Sequence, residues 1–108
     1  MSFKKIQQDV DYWIGQHKVG YFSPHAILAR ITEEVGELAR EINHRWGPKP
    51  KKSTEENIEL GDEIGDIIFA LCCLANSQGI DLDQVWQGVM DKCYNRDKDR
   101  YEKKPNAS

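Results

Sequence analysis

The sequence predicts an all-α fold, an antiparallel four-helix bundle, and three observations carry that expectation. Apolar residues recur at three- and four-residue steps in four segments, the segments are separated by capping and helix-stopping residues, and no alternating apolar–polar run long enough for a strand lies between them. With 108 residues the chain can bury one modest core, so a single helical domain over 1–108 is expected, with a tail at about 103–108 that frays.

The first helix is expected at about 3–17, where Phe3, Ile6, Val10, Trp13 and Ile14 share one face, and Gly20 helps to end it. Ser23 followed by Pro24 is an N-cap and N1 pair, after which Ile27, Ile31, Val35, Leu38 and Ile42 trace one stripe along a second helix. WGPKPKKS at 46–53 has no periodicity and reads as a basic loop opened by Trp46, whose Lys49, Lys51 and Lys52 are placed to close over phosphates or to be solvated. Ser53 with Glu56 has capping-box spacing and opens a third helix that runs to about Asn76, where Gly79 stops it. Asp81 with Gln84 opens a fourth helix, with Leu82, Val85, Trp86, Val89 and Cys93 as its apolar face.

Composition excludes several classes. Apolar residues at 39% and ten aromatic side chains are too much packing material for a disordered chain. A net charge of -3 gives no basic field for a nucleic-acid polymer. Cys72, Cys73 and Cys93 are odd in number and lack C-x-x-C spacing, which points away from a disulfide framework or a zinc site and toward a reducing cytoplasm. The longest apolar run, IIFALCCLA at 67–75, falls short of the roughly 20 residues needed to span a bilayer, and MSFKKIQQDV lacks a signal-peptide core, so neither export nor membrane anchoring is expected.

The chemistry-bearing feature is acidic. EEVGELAREI at 33–42 crowds glutamates beside a stripe that must be buried. At roughly 100° per residue with Ile27 as origin, the apolar residues centre at about 50° and Glu34, Glu37 and Glu33 fall at roughly -20°, -80° and -120°. Glu34 therefore lies on the edge of the buried stripe, Glu37 beside it, and Glu33 points away. EIGD at 63–66 sets Glu63 and Asp66 three residues apart beside Ile64, Ile67, Leu71 and Leu74 on a helix that is apolar nearly all round. Carboxylates gathered between packed helices are costly unless their pKa values rise or a cation sits among them. With oxygen donors alone, a hard ion such as Mg²⁺, with Mn²⁺ as substitute, suits the set better than zinc.

EEVGE at 33–37, twenty-five residues, and then EIGD at 63–66 resemble the EExxE and ExxD pair of the MazG-like nucleotide pyrophosphohydrolases of the all-α NTP pyrophosphatase superfamily, in their short single-domain form. The similarity covers roughly residues 20–101. It implies a Mg²⁺-dependent enzyme that cuts a nucleoside triphosphate between its α and β phosphates to give the monophosphate and pyrophosphate, clearing the cytoplasmic nucleotide pool. By the same resemblance Glu34, Glu37, Glu63 and Asp66 would ligate the metal. Glu37 or Glu33 would take the proton of the attacking water, and Glu33 has the further options of orienting that water or meeting another subunit.

The apolar stripe of the fourth helix, extended at helical spacing, runs through Val89 and Cys93 into Arg96 and Arg100, which places cations on a face that should be buried. KCYNRDKDRY at 92–101 resembles the pattern that closes the family's domain, which makes Lys92, Asn95, Arg96, Arg100 and Tyr101 candidates for phosphate or metal-site contacts. The competing reading is a solvated terminal helix with local ion pairs. Tyr12, Trp13, Tyr21 and Phe22 could stack on a base, Trp13 being the candidate carried forward, although core packing is the commoner use of such residues. His17, His25 and His44 read as surface or capping residues.

Two other functions stay open. Glu41 and His44 form one Glu-x-x-His of a di-iron carboxylate bundle, which requires a second copy that the third helix does not supply. A non-enzymatic helical interaction module would use its glutamates for solubility alone. A chain this small with so apolar a third helix is expected to complete its core as a homo-oligomer, a tetramer ahead of a dimer, an assembly that the resemblance also implies.

Overall fold

The structure, a computed structural model, describes residues 2–48 and 53–105, those of 53–58 by their backbone alone. The described residues hold four α-helices in the expected order: α1 (Phe3–Gly15), α2 (Pro24–Trp46), α3 (Ser53–Ser77) and α4 (Leu82–Asp91). No strand occurs among the described residues. The proposed capping box of Ser53 and Glu56, and the loop lysines Lys49, Lys51 and Lys52, lie outside the described side chains.

The punctuation acts as its chemistry requires. Ser2 Oγ accepts from the Lys5 amide at 3.2 Å and Ser23 Oγ from the Ala26 amide at 3.2 Å, so each hydroxyl satisfies one of the unpaired amides of a helix start. Pro24 takes the first turn of α2, where its missing N–H costs nothing. Gly79, at φ 66°, ends α3 in a left-handed turn: Ile80 N donates to Ala75 O at 2.8 Å and Gly79 N to Asn76 O at 3.2 Å, the paired bonds of a Schellman stop.

Helix α3 packs along α2 and also against α1, and Val10, Ile27, Cys72 and Cys73 form the buried centre where the three meet. Ile6, Ile14, Tyr21, Ile31, Leu74 and Leu82 close around it. Helix α4 is held against α1 by a bridge the sequence did not announce: the Asp83 carboxylate accepts from the Phe3 amide at 3.1 Å and the Lys4 amide at 3.3 Å, capping the start of α1 from another helix. The Phe3 and Trp86 rings meet at 5.8 Å beside it. Gln7 ties the same corner, donating to Asn76 Oδ1 and Ile80 O and accepting from the Leu82 amide.

One expectation is corrected here. The α-helical register of the fourth helix stops at Asp91, and Lys92–Arg96 form a π-helical turn in which Asp97 N donates to Lys92 O at 3.0 Å. A π turn advances by less than 100° per residue, so the stripe cannot be extrapolated through it. Arg96 and Arg100 are exposed and occupy no buried face.

Candidate functional site: a carboxylate cluster and an adjoining aromatic cleft

Helices α2 and α3 bring the two acidic motifs together. One carboxylate oxygen from each of Glu34, Glu37 and Glu63 lies within 4.8 Å of the others, the only such His, Cys or acidic group among the described residues. Glu34 is 5% exposed because its position, seven residues after Ile27, returns to the face that packs on α3. Asp66 stands one turn beyond Glu63, exposed and outside the set of three, yet its charge still acts on Glu63 and Arg30.

The cluster is electrostatically frustrated. Burial, then a hydrogen bond with the Glu37 carboxyl, then the charges of Glu37, Glu34 and Asp66 hold the Glu63 carboxyl above the usual glutamate range. Glu34 Oε1 accepts from Arg30 Nε at 2.8 Å, whereas Glu34 Oε2 and Glu63 Oε2 are buried without a hydrogen-bond partner among the described residues. Such oxygens are expensive to bury, and a cation between them would meet the need of both. The donor set therefore fits a hard divalent ion: all oxygen, two helices, two orphaned lone-pair sites. Beside it opens a cleft of about 320 Å³ lined by Glu37, Arg40, Glu41, Glu59, Asp62 and Glu63.

A second cleft, of about 540 Å³, begins on the other side of Arg30. Its lining includes an aromatic end of Trp13, His17, Tyr21 and Phe22, with Val19, the α3 residues Phe69, Ala70 and Cys73, Glu33, and Arg30, whose bond to Glu34 ties the cleft to the acids. Glu33, which helical arithmetic turns away from the stripe, thus lines this cleft and stands outside the carboxylate set. Tyr21 is committed elsewhere: its hydroxyl donates to Asp11 Oδ1 at 2.7 Å and accepts from Asn76 Nδ2 at 3.0 Å, and burial with the Asp11 bond pushes its pKa up to about 12. Tyr12 is largely exposed and is not among the lining residues.

Lys92, Asn95, Arg96, Arg100 and Tyr101 share the exposed segment that follows α4. Asn95 Nδ2 donates to Asp91 O at 2.9 Å, Arg96 makes two 3.1 Å bonds to Asp97, and the Arg100 guanidinium lies 5.7 Å from the centre of the Tyr101 ring. Arg30 and Phe69 escaped the sequence reading. Arg30 sits four residues before Glu34, the ordinary spacing of a helical ion pair, and that spacing could have revealed it.

The sequence of residues 22–101 matches the model of the MazG nucleotide pyrophosphohydrolase domain. The chain is 56% identical over 103 residues to the uncharacterised protein YpjD of Bacillus subtilis (strain 168), covering 95% of this chain and 93% of that one. It is 31% identical over 98 residues to the uncharacterised protein YvdC of the same organism, covering 82% and 92% respectively. The crystal structure of the Bacillus subtilis YpjD protein superposes with a TM-score of 0.79 over 85% of this chain and 94% of that one. A crystal structure described as the Bacillus-conserved MazG protein, a nucleotide pyrophosphohydrolase, superposes with a TM-score of 0.77 at 48% identity, over 93% and 97%.

Proposed function

The chain belongs to the MazG nucleotide pyrophosphohydrolase family, and from this premise we propose that it hydrolyses (deoxy)nucleoside triphosphates between the α and β phosphates, with Mg²⁺ held by Glu34, Glu37, Glu63 and Asp66. The observation that carries the reading is the convergence of carboxylates from α2 and α3 with two buried oxygens, Glu34 Oε2 and Glu63 Oε2, that have no hydrogen-bond partner among the described residues. When bound, the ion would neutralise charge on the phosphate oxygens and make a coordinated water more acidic.

The remaining work falls to the chain. Water adds its oxygen to the α phosphorus, the bond from that phosphorus to the bridging oxygen breaks, and the electron pair leaves with pyrophosphate. The water's proton goes to a carboxylate, Glu37 inside the cluster or Glu33 at the rim of the aromatic cleft. Phosphoryl chemistry of this kind depends chiefly on positioning and charge, which the rigid α2–α3 pair supplies. Trp13 offers a ring face to the base at the far end of the cleft, and Lys92, Asn95, Arg96, Arg100 and Tyr101 supply cations and donors for the polyphosphate.

The assembly is a homo-oligomer, a tetramer ahead of a dimer. Val35, Ile42, Ile64, Ile68 and Leu71 are all more than 40% exposed in the single chain, and these faces of α2 and α3 need a cover. No helix among the described residues is long and apolar enough to cross a membrane, and a cytoplasmic place beside the nucleotide pool fits the reaction.

The test is a panel of nucleoside triphosphates with Mg²⁺ in ¹⁸O-labelled water. The label should enter the monophosphate and pyrophosphate should accumulate, while Glu34→Ala and Asp66→Ala remove at least about a hundredfold of the rate with helical circular dichroism retained. Release of orthophosphate alone, or full activity in both variants, contradicts the reading.

A further inference from the structure

We propose that His17 reads the base, presenting a hydrogen-bond acceptor at the aromatic end of the cleft so that a 4-aminopyrimidine or 6-aminopurine nucleotide is preferred to its oxo counterpart. The inference rests on the reading above that this cleft receives the base of a nucleoside triphosphate.

His17 Nδ1 lies 2.9 Å from the carbonyl oxygen of Trp13. A carbonyl can only accept, so the ring nitrogen must donate and the neutral imidazole carries its proton on Nδ1. Nε2 is then left as a bare lone pair. In most surface histidines the tautomer is free to change with the ligand; here the helix end decides it before any ligand arrives.

The ring is also held in place. His17 and Trp13 are one helical turn apart, their ring centres are 4.6 Å apart and their planes are inclined at 62°, an edge-to-face contact. Hydrogen bond and ring contact together fix the position and tilt of the imidazole, so little entropy is lost when it engages a ligand. Both rings line the same cleft.

The other polar side chains along the cleft are assigned to different tasks. Tyr21 has its hydroxyl between Asp11 and Asn76. Arg30 bonds to Glu34, and Arg30 and Glu33 belong to the part of the lining tied to the carboxylates, where sugar and phosphate must lie if the α phosphorus is to reach the cluster. At the aromatic end the remaining side-chain polar atoms are the Trp13 indole N–H, a donor, and His17 Nε2, an acceptor. An exocyclic amino group projects beyond the ring of the base, donates to Nε2, and leaves the neighbouring ring nitrogen as an acceptor. In an oxo base the same position carries lone pairs that face the lone pair of Nε2, and the neighbouring ring nitrogen carries an N–H in place of an acceptor. A mismatch of this kind is worth about tenfold in an equilibrium or a rate.

The experiment compares kcat/KM for dCTP against dUTP and for dATP against dITP with Mg²⁺, using the wild-type protein and His17→Phe. The wild type should favour each amino nucleotide about tenfold, and His17→Phe, which keeps the ring and removes the acceptor, should bring each pair to parity. Calorimetric binding of dCMP and dUMP without metal should show the same preference and the same loss. Hydrolysis at equal rates within each pair, or a preference that survives His17→Phe, overturns the role of His17 while leaving the activity standing. Failure to cleave any of the four overturns the activity on which it rests.

Discussion

At the scale of single residues the unusual feature is Glu63, a carboxyl held half-buried beside two others. Its folded pKa lies above its unfolded one, so between the two values the native protein holds a proton that the unfolded chain has released. That contribution to stability is intact below the ordinary glutamate range of about 4.3 and is lost as pH rises through the higher folded value. In metal-free protein the thermal midpoint of the wild type should therefore fall with rising pH relative to that of Glu63→Gln, which cannot ionise. A wild-type minus Glu63→Gln difference that stays level from about pH 4 to 8 would count against the cluster being as crowded as described. The place of these acids was legible in the sequence because helical spacing relates Glu34 to Ile27, and Glu34 is indeed buried. The split between Glu34, Glu37 and Glu63 on one hand and Asp66 on the other was not legible. It depends on the relative rotation of two helices, which no single-helix arithmetic contains.

At the scale of elements, starts and stops were readable because they are local chemistry: Ser23–Pro24 opens α2 and Gly79 closes α3 through bonds spanning at most five residues. Two features were hidden for the opposite reason. The π turn at Lys92–Arg96 is a choice between nearly equal hydrogen-bond registers, and nothing in KCYNR dictates it. The cap that Asp83 places on Phe3 and Lys4 joins residues about eighty positions apart. This bridge makes a separable prediction. Asp83→Ala should cost about 1 kcal/mol, as loss of a helix cap does, and amide exchange should accelerate at the start of α1 and in α4 while the α2–α3 pair keeps its protection. Uniform acceleration across all four helices would mean that Asp83 is not a local fastener.

At the scale of the whole molecule, a radius of gyration of 17.6 Å is well above the roughly 13 Å of a compact domain this long. The single chain is 55 Å in its longest dimension, and its buried apolar core is small and gathered where α1, α2 and α3 meet. The expectation that α3 is central follows from its apolar circumference, yet Ile64, Ile68 and Leu71 remain more than 40% exposed because one chain has too few helices to surround it. Ile68→Lys should shift the protein toward a smaller species in light scattering coupled to size-exclusion chromatography. An unchanged molar mass would place the subunit contact elsewhere. The carboxylate cluster lies between α2 and α3, so its fate depends on that pair more than on any distant loop.

The central claim is that carboxylates from two helices converge because a divalent ion belongs between them. Titration of metal-free protein with Mn²⁺, followed by calorimetry, tests it most directly. Saturable binding by the wild type, weakened at least about tenfold in Glu34→Gln and in Glu63→Gln with helicity unchanged, is the predicted result. Equal Mn²⁺ affinity in all three proteins would contradict it.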